Sequence, residues 1–119
     1  MDWDVEFTDE FGEWFRGLDD HTQRRIAAAV EKLQEAGPAL GRPFVDTLVG
    51  SRLPNLKELR PMGGNIRILF AFDPHRTAIL LLGGDKTGQR RRWYRDAIPA
   101  AELLYETYLE ELRQEGLLP

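Results

Sequence analysis

The sequence contains no cysteine. That excludes a disulfide-stapled scaffold, cysteine-based zinc sites and thiol catalysis, and it fits a reducing compartment. Long apolar runs are missing as well. The most apolar stretches, residues 66–72 and 78–82, fall far below the ~20 residues a bilayer-crossing helix needs. The opening Met1-Asp2-Trp3-Asp4 has neither the basic patch nor the apolar core of a leader, so no signal peptide is expected. Histidine is scarce: His21 and His75 stand far apart, with no His-Glu-x-x-His pattern, and no metal site or cofactor is expected. What remains is 119 residues, the size of a single domain spanning residues 1–119, soluble and cytoplasmic by expectation.

The net charge of −4 conceals a strong segregation. Residues 1–50 carry a net −6, residues 51–95 a net +7, and residues 96–119 a net −5. A local field of that kind, more than a total, steers a polyanion to a surface. The same pattern also fits acidic helices that neutralise basic strands within the fold.

Trp3, Val5 and Phe7 alternate with acids, as in a half-buried strand. Thr8 then precedes Phe11, Trp14, Phe15 and Leu18, one apolar face of a helix capped by that threonine. Asp19-Asp20 breaks this helix and caps the next, whose stripe is Ile26, Ala29, Val30, Leu33 and Ala36, until Gly37-Pro38 stops it. Residues 37–55 hold repeated Gly and Pro and read as an irregular connection. Strands follow at 56–60, 66–72 and 77–82, with Asp73-Pro74 starting a type I turn; the last strand is continuously apolar, as if covered on both faces. After a loop over 83–92, a final helix is expected from about Pro99 to Arg113. The order β-α-α-β-β-β-α indicates an α+β domain with a mostly antiparallel sheet against a helical hairpin.

Gly83-Gly84-Asp85-Lys86-Thr87-Gly88 superficially resembles a phosphate loop, but Asp85 stands where that loop needs glycine and would repel phosphate. The remaining constellation is basic. Lys57, Arg60, Arg67, Lys86, Arg90, Arg91, Arg92 and Arg95 lie along three strands and the following segment, with Trp93 and Tyr94 among them. Short turns between the strands place these side chains on one sheet face by expectation. Cations beside aromatics offer phosphate contacts and stacking surfaces, the two needs of single-stranded nucleic acid. A solvated basic face paired with Glu58, Asp85 and Asp96 is the plainer alternative.

Leu56-Lys57-Glu58-Leu59-Arg60, the strand Ile66-Arg67-Ile68-Leu69-Phe70-Ala71-Phe72-Asp73 and the strand end Gly83-Gly84-Asp85-Lys86 resemble the RelE/ParE superfamily of bacterial toxins. The Arg92-Trp93-Tyr94-Arg95 segment and the terminal Ala101/Tyr105/Leu109 helix resemble its HigB-like, phage-derived branch. The resemblance covers most of the chain and is weakest over 37–54. It implies a toxin of a type II toxin–antitoxin module that enters the ribosome and cuts messenger RNA without a metal. The implied partners are a cognate helix-turn-helix antitoxin, the ribosome and messenger RNA, with DNA reached only through the antitoxin and no membrane. The resemblance implies a catalytic set of Lys57, Arg60, Arg67 and Lys86 at the phosphate and transition state, with Tyr94 for base stacking or proton transfer, while the basic and aromatic types of Arg90, Arg91, Arg92, Trp93 and Arg95 make them the RNA-binding candidates. No histidine follows His75, and Tyr94 sits past Lys86, so the base stays open among Lys57, Lys86 and Tyr94. One arm of the superfamily inhibits DNA gyrase instead; a ParE-like gyrase inhibitor and an inert module of a phage regulatory complex are the alternatives.

Overall fold

The computed structural model describes residues 2–119. The alternating N-terminal segment forms β1 (Asp4–Phe7). Thr8 caps α1 (Asp9–Arg16), its Oγ1 accepting from the Phe11 N–H at 3.0 Å. Asp19 caps α2 (Asp20–Ala36) in the same way, accepting from the Thr22 N–H at 2.8 Å. Each cap satisfies one of the N–H groups that a helix start leaves without a partner, at about 1 kcal/mol apiece. Strands β2 (Val45–Thr47), β3 (Leu56–Leu59), β4 (Ile66–Phe72) and β5 (Thr77–Asp85) follow, and α3 (Arg90–Gln114) closes the chain.

The five strands form one sheet in the order β1-β5-β4-β3-β2. Only β1 runs parallel to its neighbour, β5; the other three pairings are antiparallel. Strand alternation divides the apolar side chains into two cores. On one face Leu59, Ile68, Phe70 and Leu80 meet Phe11, Ile26, Ala29 and Leu33 of the helical hairpin. On the other, Leu56, Leu69, Ala71, Ile79 and Leu81 meet Ala97, Ile98, Ala101 and Tyr105 of α3. Burying each large side chain contributes roughly 1.5–3 kcal/mol, which explains why the middle strands read as apolar throughout. Among the described residues no helix is long and apolar enough to cross a membrane.

Three elements differ from the sequence reading. β5 runs on to Asp85, past the expected end at residue 82 and into the expected loop. β2 adds a strand within 37–55, and at three residues it is too short to show alternation. α3 starts at Arg90 and carries Pro99 inside it, where the sequence suggested a start near Pro99. Proline there forfeits one backbone hydrogen bond. The buried stripe Ala97, Ile98, Ala101 and Tyr105, with Trp93 packed beside it, outweighs that loss.

A bulge in β5 sets the positions of everything downstream. Leu69 pairs with Leu82 while Phe70 pairs with Leu80, so Leu81 has no partner. Leu81 and Leu82 therefore both face α3, and the parity of the strand end is reversed.

Candidate functional site

The centre of the site is a carboxylate. Glu58, on β3 beside Leu56, faces α3 and is only 3% exposed. An unpaired buried carboxylate costs several kcal/mol, so its partners decide what the region can do. Arg60 Nε donates to Glu58 Oε2 at 2.9 Å. The Tyr94 hydroxyl donates to Glu58 Oε1. Arg67 Nε lies 3.9 Å from the same oxygen, and this buried Nε makes no hydrogen bond. Arg67 Nη1 is held by the carbonyls of Gly64, at 3.2 Å, and Ile66, at 2.8 Å.

Lys86 reaches the same place because of the bulge. With the strand parity reversed, Gly84 and Lys86 turn to the α3 side, and Gly84 sits opposite Arg67. The Lys86 ammonium lies 5.7 Å from the Tyr94 ring centroid, a cation–π distance. Burial holds its pKa below the ordinary lysine value, and the charges of Arg67 and Arg90 add to that depression. Tyr94 moves the other way: burial first, then the hydrogen bond and charge of Glu58, push its phenol up to about 12.

Glu58, Arg60 and Tyr94 line a cleft of about 830 Å³ between β2, β3, the loop after β2 and the first half of α3, while Arg67 and Lys86 lie outside its lining. Arg90, Arg91 and Arg95 line it along with Tyr94, Arg60 and Glu58. Its loop wall is clamped to α3 by Glu102, which accepts from Ser51 Oγ and from the Arg52 N–H, both at 2.7 Å. Hydrogen bonding from Ser51 is the main reason the Glu102 carboxyl sits below its ordinary pKa.

Of the residues singled out from sequence, Arg60, Arg67, Lys86 and Tyr94 converge. Lys57 does not. Its register partner is Phe70, on the hairpin core, so it points to the face opposite Glu58 and Arg67. Arg92 is exposed and outside the cleft lining. Trp93 is turned inward: a Cβ on Gly84 would stand 2.3 Å from its Nε1, so the indole fills a glycine slot instead of offering a free stacking face. Gly83 makes the matching slot on the hairpin side, where a Cβ would stand 2.3 Å from Trp14. The glycine pair read from sequence as a failed phosphate loop thus seats two indoles back to back. Glu58, the hub, was treated in the sequence only as a neutralising partner; the signal was an acid inside an otherwise apolar and basic strand.

Residues 13–106 match the family described as Phage derived protein Gp49-like (DUF891). A protein of Mycobacterium tuberculosis named as the candidate toxin HigB3 is 51% identical over 96 residues, covering 81% of this chain and 84% of that one. The chain belongs to the Gp49-like family, as a HigB-type toxin. A second M. tuberculosis member, the candidate toxin HigB2, is 48% identical over 101 residues; the match takes in 82% of this chain and half of that protein. The Gp49-like chain also shares its fold with a chain of the toxin–antitoxin complex RelBE2 of M. tuberculosis. That likeness has a TM-score of 0.57 at 17% identity and covers 71% of this chain and 99% of that one.

Proposed function

We propose that this HigB-type toxin is a ribosome-dependent messenger-RNA endonuclease that arrests translation and is neutralised by a helix-turn-helix antitoxin. The observation that carries the reading is the convergence of Arg60, Arg67 and Lys86 around Glu58 and Tyr94, two residues that line an arginine-rich cleft. In the reaction the ribose 2′-oxygen forms a bond to the adjacent phosphorus, and the bond from phosphorus to the 5′-oxygen breaks. A 2′,3′-cyclic phosphate and a 5′-hydroxyl result. Charge gathers on the phosphoryl oxygens in the transition state, where fixed cations act more strongly than on the ground state.

Lys86 suits the removal of the 2′-hydroxyl proton, since its depressed pKa leaves more free amine near neutrality. Tyr94 suits donation to the leaving 5′-oxygen, because a phenol held near 12 keeps its proton until a strong base forms beside it. Arg67 supplies positive charge to the phosphate, and Glu58 keeps Arg60 and Tyr94 in place when no substrate is bound.

The test is cleavage on programmed ribosomes by the unaltered chain and by Lys86→Met, which keeps the packed stem and removes the charge. The unaltered chain should give fragments with cyclic phosphate and 5′-hydroxyl ends. Lys86→Met should lose roughly a hundredfold in rate, the cost of one preorganised charge, with its circular dichroism unchanged. Intact transcripts together with loss of DNA supercoiling would establish gyrase inhibition instead.

A further inference from the structure

β1 lies at one edge of the sheet, and the C-terminal half of α3 passes over it. Between them runs a groove of about 650 Å³. Its lining is mostly polar, with an apolar strip from Val5, Leu104 and Leu112, and Phe7 stands at its side 59% exposed. Its rims carry Glu6, Asp9, Glu10, Glu111 and Glu115, and no lysine or arginine is among the lining residues.

Tyr108 adds a second feature to the groove wall. Its hydroxyl lies 2.6 Å from Asp73 Oδ2 and 3.1 Å from Glu6 Oε2. One phenolic proton serves one carboxylate well, so Glu6, the more distant, keeps charge to offer a cation. An acidic groove with an apolar strip along it is complementary to a segment with lysine or arginine along its length and apolar side chains on one side.

We infer that this groove is the docking site of the antitoxin, and that the docked segment is basic and amphipathic. The inference rests on the toxin–antitoxin reading above. The catalytic cleft borders β2 and β3, at the other side of the sheet from β1. Four strand spacings of ~4.8 Å put the two edges about 19 Å apart. Neutralisation therefore does not require the docked segment to fill the cleft.

The experiment measures the affinity of the purified chain for the protein encoded by the adjoining gene. Three variants are compared with the unaltered chain: Glu10→Lys/Glu111→Lys/Glu115→Lys, the same three positions changed to Gln, and Arg91→Glu in the cleft. The lysine triple should weaken binding by at least a hundredfold, and the glutamine triple by roughly tenfold, with native circular dichroism in both. Cells carrying the lysine triple should still arrest translation and should no longer be rescued by the antitoxin. Arg91→Glu should bind the antitoxin within twofold of the unaltered chain. Wild-type affinity in the lysine triple overturns the groove assignment and leaves the nuclease reading untouched, and loss of binding confined to Arg91→Glu moves the antitoxin to the cleft. If the unaltered chain binds no product of the adjoining gene, both the partner reading and the groove fall.

Discussion

The Tyr94 hydroxyl donates to the buried carboxylate of Glu58, and this one bond ties the start of α3 to the middle of β3. It joins the element that carries the exposed arginines to the strand that leads into Arg60. Because Glu58 also accepts from Arg60, the cleft end is a connected network in which each polar group restrains the next.

That bond gives an alkaline pH dependence. Tyr94 titrates near 12 in the folded chain, through burial first and Glu58 second, against about 10 in the unfolded chain. A raised pKa means that the folded state holds the proton more tightly. The contribution to stability is complete below pH 10 and is lost as pH rises through 12. Tyr105 and Tyr108 are raised too, mainly by burial. The melting temperature should fall steeply between pH 10 and 12, and Tyr94→Phe should fall less steeply over the same range. Identical slopes for the two proteins would remove Tyr94 from the alkaline transition.

Gly84→Ala should damage the site through packing. The added methyl would meet Trp93 Nε1 at 2.3 Å, and overpacking of this kind costs about 1–3 kcal/mol, or several degrees in melting temperature. Gly83→Ala meets Trp14 equally closely on the other face and should cost about as much stability. Only the Gly84 variant displaces the helix turn that holds Tyr94, so it alone should slow RNA cleavage beyond its effect on folding. Trp93→Phe in the Gly84→Ala background should restore part of the lost stability. Melting curves and cleavage rates for the four proteins decide the matter.

The arginines of α3 should separate by position. Arg91 lines the cleft and Arg92 does not. Arg91→Ala should lower the salt dependence of binding to a single-stranded oligonucleotide by about 0.7 in the log–log slope, the value of one phosphate contact. Arg92→Ala should leave the slope unchanged. Binding titrations at several salt concentrations check this, and equal slopes for both variants would mean that the charge acts only as a diffuse cloud.

Much of the fold was legible because its periodicities are clean. The stripes of α1 and α2, the caps Thr8 and Asp19, and the alternation of β4 all state their structure locally. The start of α3 was hidden by Pro99, whose preference for a first turn competes with tertiary packing that only the assembled sheet supplies. The site was legible as chemistry and less so as geometry. Arg60, Arg67 and Lys86 announce a cationic centre by type, but whether Lys57 joins them depends on strand parity, and Lys86 depends on a bulge at Leu81 that a run of leucines does not betray. Trp93 looked like a stacking surface because nothing in the sequence tells that Gly84 leaves room for an indole. The low surface exposure of Arg67 and Lys86, 12% for the Arg67 side chain and 8% for Lys86, likewise follows from α3 lying across them, so neither is a freely solvated surface charge.

The basic cleft and the acidic groove occupy opposite edges of one sheet, which makes the molecule a strong electric dipole although its net charge is only −4. In the field of a polyanion such a body experiences a torque before any contact is made. The groove side is repelled, the cleft side is drawn forward, and a randomly oriented collision becomes a directed one, with encounter rates that fall steeply as salt is added. Neutralising the groove acids therefore weakens this orientation, although none of those acids lines the cleft.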